Sequence, residues 1–453
     1  MLLSIAIGLS ALALLALVVN PVWGIPLLFI VKPVIDAAFE YPVFYGLRLP
    51  EIVAGTVPLV MIGHMLLAAP KQSVRYMPLR WIWTAYLLDA LIFSILLAFN
   101  EDPKTGFNSF FRYLNGFVGF YMVQAFFQNE RDFKRLLAAF MVAGLFPAAT
   151  AYYQIATGIG WREEFSEGVQ RAVGLWHDSV SMREYAFQTI LAILLYGVLY
   201  LRGNAFKQAV LMGYLVVMVG VVLNVFSKAG TAGLVLWAAC WTLLSRKYLQ
   251  FVMLAGGAVL VAVVASGYLM NLRQVFHKEI GLVTGKGDLA HTLAGRWYGW
   301  THMVDVWFTF PWPAKLFGSG HLAIGAHNDY LQMLYHGGLL GLAIYLCLLG
   351  AIGFRVVANL RRRMDPMAIA ALMLFLVWLV DTIGVVPSAF PAWQWFVWGV
   401  IGLSLRREEL ALAALPSRSE AIAPLTAGAL SGEGRRPVSP PGTVERRFPI
   451  VFP

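Results

Sequence analysis

The sequence predicts an all-α, polytopic integral membrane helical bundle, and three observations carry that expectation. Of the 453 residues, 59% are hydrophobic and 13% are charged, with a mean hydropathy of +0.70, whereas soluble domains carry about 25% charged residues. Apolar runs of about 17 to 25 residues, long enough to cross a ~30 Å hydrocarbon core as a helix, recur along most of the chain. Basic residues cluster in every second connection between those runs, as expected of a chain whose positive loops stay on one side of a membrane. A backbone in lipid has to satisfy its own hydrogen bonds, so helices are expected throughout.

The first run, Leu2 to Val19, lacks a basic n-region and an A-x-A cleavage site, and reads as a retained helix. Further spans are expected over Val22 to Phe39, Ile52 to Ala69, Trp81 to Phe99, Phe107 to Phe127, Leu136 to Ala156, Ala186 to Leu201, Ala209 to Phe226, Gly230 to Leu244 and Phe251 to Met270. Tyr330 to Gly353, Ala368 to Val385 and Trp393 to Leu405 complete about 13 spans. If the first two form a hairpin broken at Asn20 and Pro21, about 12 crossings remain.

Lys71, Arg75 and Arg80 mark one cytoplasmic loop, and Arg131, Lys134 and Arg135 mark the next but one. Arg202 with Lys207, Arg246 with Lys247, and Arg355 with Arg361 to Arg363 continue the alternation. The remaining connections then face outward, including Trp161 to Glu184 and the long loop of residues 270–328 before the last three helices. Residues 1–405 are expected to form the membrane domain. Residues 406–453, rich in Pro, Ser, Gly, Arg and Glu, are expected to be a disordered cytoplasmic tail.

The net charge of +10 is scattered between spans, so topology explains it and no nucleic acid partner is expected. Cys240 and Cys347 both lie in apolar runs, without metal spacing or a disulfide framework. No internal repeat is visible, which leaves the inverted-repeat design of many transporters without support.

Ionisable groups on outward segments of an apolar chain are costly and tend to be functional. Arg171, His177, Lys228, Arg296 and His327 meet that description. Arg171 lies in the loop Val169 to Tyr185, with His177 and Arg183. Ser227 and Lys228 form the junction of two spans with almost no loop between them. Arg296 opens an amphipathic segment, Leu293 to Phe308, and His327 ends the long loop. His321 and His336 are read as structural, Asn328 as a cap for the helix that follows. Asp89 and Asp381, inside apolar spans, are read as structural polar contacts well away from the outward cluster.

The stretch Gly318 to Leu342, with His327, Asn328, Leu331, Gly338 and Gly341 in order, resembles the O-antigen ligase and exopolysaccharide polymerase family of membrane glycosyltransferases. There a Gly-x-x-Gly pair opens a helix. Arg171 with Gly174, the turn Ser227-Lys228-Ala229-Gly230, and Gly295-Arg296 resemble the family's other landmarks, so the likeness spans Val169 to Gly341. It implies a GT-C-like fold and metal-independent, inverting transfer of an undecaprenyl-pyrophosphate-linked glycan to a glycan or lipid A core acceptor. The setting it implies is the periplasmic face of a bacterial inner membrane, with the lipid bilayer and other polysaccharide assembly proteins as partners. Polymerisation is preferred to ligation, because Asn328-Asp329-Tyr330-Leu331-Gln332 resembles exopolysaccharide polymerases.

On this reading Arg171, Arg296 and Lys228 bind the donor pyrophosphate, since fixed cations stabilise the charge gathering on the leaving group. His327 is the expected catalytic base: an imidazole with a pKa near ~6.5 suits deprotonation of a hydroxyl. Asn328, His177 and Ser227 support it. No cofactor is expected, and no Asp-x-Asp pair on an outward segment offers a metal site. Lys228 stands where the family usually has Arg, and lysine lacks the planar fork that grips phosphate bidentately. Two other classes compete: a transporter or flippase of lipid-linked sugars, which needs cations along a path through the bilayer, and a non-catalytic assembly subunit.

Overall fold

A computed structural model describes residues 1–67, 77–127, 129–201, 203–246, 266–288, 295–322 and 327–413. The elements run α1 Leu2–Val19, α2 Pro21–Ala37, β1 Pro42–Phe44, β2 Leu47–Arg48, α3 Leu49–Leu67, α4 Arg80–Asn100, α5 Pro103–Phe126, α6 Glu130–Ala143 and α7 Leu145–Thr157. Then come β3 Phe165–Ser166, β4 Val169–Gln170, α8 Ser179–Tyr200, α9 Ala205–Asn224, α10 Lys228–Leu244, α11 Ser266–Val275, α12 His277–Val283, α13 Arg296–Thr309 and α14 Trp312–Phe317. After these follow α15 Asp329–Arg362, α16 Pro366–Gly384, a 3-10 turn Pro387–Ala389, and α17 Pro391–Ala413.

Among the described residues, seven helical segments are long and apolar enough to cross a membrane: α1, α3, α4, α6 with α7, α9, α15 and α16. The shorter α10 is also apolar. The helix α2 is apolar but, at 17 residues, one residue shorter than α1, whereas α5, α8 and α17 are more polar for a physical reason. They lie inside the bundle, where neighbouring helices rather than lipid satisfy side chains such as Asn115, Gln124, Arg183 and Gln394, all buried. α5 and α17 pack together so closely that a Cβ at Gly119 would lie 2.8 Å from the Gln394 carbonyl oxygen. In lipid, association relies on such close packing and on buried hydrogen bonds, here Trp395 Nε1 to Asn115 Oδ1 at 2.7 Å.

Most expected spans coincide with helices to within a few residues, and several details differ. The run Leu136 to Ala156 is two helices meeting at Gly144, with α6 starting at Glu130. Arg131, Lys134 and Arg135 therefore occupy the first turns of α6 rather than a loop, and Arg135 pairs with Asp132 at 2.9 Å. The expected tail is corrected at its start: α17 continues through residues 406–413, and Arg406 is buried. An α-helix continues because nothing in Arg406-Arg407-Glu408-Glu409-Leu410 breaks it. Most of the expected span Phe251 to Met270, the loop residues Lys71 and Arg75, the basic residues Arg202 and Lys247, and the tail beyond Ala413 lie outside the described residues.

The Gly-x-x-Gly pair opens the second of two helical stretches: α15 begins at Asp329, Gly338 breaks it with φ 64° and ψ −159°, and a new helical stretch starts there. The cause is a backbone-to-backbone contact. A Cβ on Gly338 would sit 2.5 Å from the Leu316 carbonyl, and one on Gly318 (φ 100°) would sit 1.8 Å from the His336 carbonyl oxygen. Only glycine tolerates both the positive φ and the approach. Ser319 N–H donates to the Tyr335 carbonyl at 2.9 Å, and Tyr335 Oη to the Met303 carbonyl at 2.7 Å, so α13 and α14 are pinned onto the interrupted helix.

Two short hairpins, not expected from the sequence, lie at the end of the bundle where α2, α7, α9 and α16 finish. The second pairs Phe165 with Gln170 and Ser166 with Val169. Its two turn residues, Glu167 and Gly168, have φ 51° and 81°, the left-handed pair that a tight hairpin requires. The hairpin delivers Arg171, whose N–H donates to the Glu164 carbonyl at 2.8 Å.

Candidate functional site

Most of the sequence-predicted residues gather at this one end. Arg171 forms an ion pair with Glu164 and donates from Nε to the Val225 carbonyl at 2.8 Å, tying the hairpin to the end of α9. Arg296, the first residue of α13, donates to the Gly384 carbonyl at the end of α16. Burial first, then the charges of Arg171 and Arg183, hold the Arg296 guanidinium below its ordinary pKa. These guanidinium groups therefore feel one another, and each stays charged, since arginine does not lose its proton in proteins.

His327 precedes α15 in the left-handed region, with φ 40°, a conformation histidine tolerates better than branched residues do. Burial, and after it the charge of Arg296, lowers its imidazole pKa from the ordinary value. The neutral form is favoured, as a base requires. Asn328 caps α15 by accepting from Leu331 N–H at 3.0 Å, and its amide reaches the Ile383 carbonyl at 3.2 Å. It fastens the start of α15 to the end of α16.

Ser227 caps α10, accepting from Gly230 N–H at 3.2 Å, and its hydroxyl lies 3.4 Å from Arg183 Nη1. Lys228 points elsewhere: its ammonium is 2.6 Å from Glu279 Oε1 on α12. His177 stacks on Phe39, with ring centroids 4.0 Å apart, and its Nε2 is 2.7 Å from Asp178 Oδ2. His321 Nδ1 is 3.0 Å from Glu101 Oε1.

Sequence reasoning missed the central ion pair. Arg183 Nη2 lies 2.9 Å from Asp381 Oδ1, with the two side chains 1% and 2% exposed. The expectation that Asp381 lies well away from the outward cluster is thereby corrected. α16 ends at Gly384, so Asp381 is within one turn of that end and of the carbonyl that holds Arg296. Asp89 does stay apart from the arginines. Its carboxylate faces α15 closely enough that a Cβ on Gly337 or Gly341 would lie 2.8 or 2.7 Å from Oδ2.

A cavity of about 330 Å³ adjoins the arginines across α8. Ser181, Glu184, Tyr185 and Gln188 line it from α8, spaced i, i+3, i+4 and i+7 on one helix face. Asp36 of α2, Glu51 of α3, and Asn108, Arg112 and Asn115 of α5 line the facing walls, with Phe111, Phe390 and Trp393 as apolar surface. Of the sequence-predicted site residues, His177 alone contributes to this lining. Asp36 is engaged by Lys32 and accepts from Tyr185 Oη at 2.6 Å, and Glu51 accepts from Arg48 N–H at 2.7 Å. Glu184 lies within electrostatic reach of Arg183, Asp381, Asp178 and Asp36. The i, i+3, i+4, i+7 spacing was the available sequence signal for this wall.

The arrangement brings Arg296, Arg171 paired with Glu164, and Arg183 paired with Asp381 to the same end of the bundle as a base-competent imidazole, with a largely apolar cavity on the other side of α8. That combination suits an anionic leaving group and a hydroxyl-bearing partner. Compared with known proteins, the chain matches no family model and no curated protein.

Proposed function

We propose that the chain is a metal-independent membrane glycosyltransferase that moves an undecaprenyl-pyrophosphate-linked glycan onto an acceptor sugar hydroxyl at the outward face of a bacterial inner membrane. The observation that carries the reading is that Arg183 through Asp381, Arg296 through the Gly384 carbonyl, and the His327–Asn328 pair through the Ile383 carbonyl all meet at the last turn of α16. An arginine cluster in a water-poor setting fits a diphosphate leaving group without needing a metal. Sidedness follows from charge: Arg131, Lys134, Lys207, Arg246 and Arg361 to Arg363 occupy the opposite end, which the positive-inside rule assigns to the cytoplasm. About 12 crossings and an outward segment 270–328 complete this topology.

In the proposed step the acceptor oxygen attacks the anomeric carbon, the bond from that carbon to the pyrophosphate oxygen breaks, and undecaprenyl pyrophosphate leaves. His327 accepts the hydroxyl proton. Arg171 and Arg296 bear the charge that develops on the diphosphate, and Arg183 is added to the residues anticipated from sequence. Lys228 is dropped as a ligand, because its ammonium points away from the arginines, to Glu279 on α12. Extension of a lipid-linked polysaccharide is preferred to ligation onto a lipid A core.

The test uses purified chain in detergent with an undecaprenyl-pyrophosphate oligosaccharide, with and without a lipid A core acceptor. A product ladder without the core identifies a polymerase, and a single product that needs the core identifies a ligase. Arg171→Ala and Arg296→Ala should each lower turnover by about a hundredfold or more, while Lys228→Ala should stay within about tenfold of the parent. Absence of transfer to either acceptor, or arginine variants as active as the parent, would overturn the proposal.

A further inference from the structure

Arg171 and the residues after it lie between the end of β4 at Gln170 and the start of α8 at Ser179, so neither helix nor strand fixes their peptide groups. A side chain from α7 supplies much of the missing restraint. Gln154, in the last turn of that helix and 4% exposed, accepts at Oε1 from the Val173 and Gly174 N–H groups at 2.8 and 2.7 Å. Its Nε2 donates to the Arg171 carbonyl at 3.2 Å. The pattern fixes the amide's orientation, since a flipped amide would set its NH2 against two N–H donors and its oxygen against a carbonyl. The surroundings fit the side chain closely: a Cβ on Gly160 would lie 2.7 Å from Gln154 Cδ.

The other tethers of this loop run to different elements. Arg171 N–H donates to the Glu164 carbonyl and Ala172 N–H to the Asn224 carbonyl, at 2.8 and 3.0 Å, and Arg171 Nε reaches the Val225 carbonyl. These hold the loop to the hairpin and to the end of α9, whereas Gln154 holds it to α7. Without the amide, two N–H groups and a carbonyl lose their partner in a buried place, and the loop has to move to find others. The guanidinium of Arg171 moves with it. A misplacement of about 1 Å can cost ~10²-fold in rate.

We propose that Gln154 is a positioning residue, which holds Arg171 where a diphosphate leaving group needs it while touching neither donor nor acceptor. The role rests on the proposed part of Arg171 in glycan transfer. The position calls for an acceptor that takes two N–H groups and a donor that reaches one carbonyl, and a glutamine amide supplies both. Methionine fills a similar volume without the donor or the strong acceptor.

A double-mutant cycle with Arg171 tests this, using the purified full chain in nanodiscs with turnover expressed per folded molecule. Gln154→Met should lower glycan transfer about tenfold or more, yet change it by less than about twofold in the Arg171→Ala background, where the residue it positions is gone. A purely structural role leaves turnover per folded molecule unchanged, and an independent role gives the same loss in both backgrounds. Either result would overturn the proposal. Gln154→Asn keeps an amide one methylene short of the three contacts; it should show the same coupling, and it carries the cycle if Gln154→Met folds poorly.

Binding of geranyl diphosphate, read by isothermal titration calorimetry, keeps this role apart from the transferase reading. Affinity should fall about tenfold or more in Gln154→Met, and the two Arg171→Ala proteins, with and without that change, should bind equally. Coupled diphosphate binding in a parent that transfers no glycan leaves the positioning role standing and refutes the transferase reading. Glycan transfer with additive losses does the reverse. A parent that binds no diphosphate overturns the positioning role, because Arg171 then has no such group to meet.

Discussion

The Arg183–Asp381 pair gives the sharpest quantitative test of the site. At 2.9 Å and with both side chains essentially excluded from solvent, removing one partner leaves an uncompensated buried charge, a loss of about 3–5 kcal/mol. Replacing both by apolar residues of similar volume removes the desolvation penalty together with the attraction, and is close to neutral. Arg183→Met and Asp381→Leu should therefore each destabilise the chain by about 3–5 kcal/mol, whereas the double variant should recover to within about 1 kcal/mol of the parent. Reversible unfolding in mixed detergent micelles measures the cycle. Transfer assays on the same proteins separate structure from chemistry: the recovered double variant should still lack most turnover, because it lacks one of the clustered cations. The reasoning fails if the double variant is no more stable than the weaker single variant, or if it transfers glycan at the parent's rate.

Two further expectations rest on the same end of the molecule. Burial and Arg296 lower the His327 pKa, so the folded state disfavours protonation, and its stability should decline as pH falls through the unfolded value of ~6.5. In Arg296→Met the imidazole pKa should rise, moving the acid limb of residual kcat/KM to higher pH; a limb that stays put or moves to lower pH contradicts the coupling. Gly318→Ala forces a contact with the His336 carbonyl and should lower the thermal midpoint sharply. Gly285→Ala, at φ 73° with open space around it, should cost only the ~1–2 kcal/mol of a left-handed alanine. Equal losses in the two variants would dissociate the glycine contact from stability.

Most helices were legible because hydropathy and length report lipid exposure directly. That signal weakens where other helices shield a span, which is why α8 was expected only from Ala186 although it begins at Ser179, ahead of the buried Arg183 and Glu184. The local landmarks Arg171, Arg296 and His327 could be read from sequence, since each stands at the edge of an apolar run. The Arg183–Asp381 pair could not, because its members lie far apart in the chain and neither carries a local mark of the other. Asp381 was misplaced for a simple reason: distance along a span says little about depth near its end, and one turn of helix brings it level with Gly384. The cavity wall was written in the spacing of Ser181, Glu184, Tyr185 and Gln188, but Arg183 lies among them and obscures the pattern. Gly338 was legible as a helix start from its glycines, but the helical stretch that precedes it and the backbone contact with Gly318 were not.

The interruption at Gly338 makes α15 electrically two helices in series. A continuous helix would present its positive pole only near Asp329, whereas the break creates a second one partway along, at the turn that contains Leu339 to Gly341. Asp89 of α4 abuts that turn, with Oδ2 against the positions of Gly337 and Gly341. A carboxylate near a helix N-terminus is stabilised by about 0.3–1 kcal/mol at an exposed site, and by up to about 2 kcal/mol when partly buried. The lone acidic residue of an otherwise apolar α4 interior thus faces the positive pole of a macrodipole rather than a cation. Straightening α15 would remove that pole and leave Asp89 facing a featureless helix wall, so the kink and the intramembrane carboxylate are a matched pair.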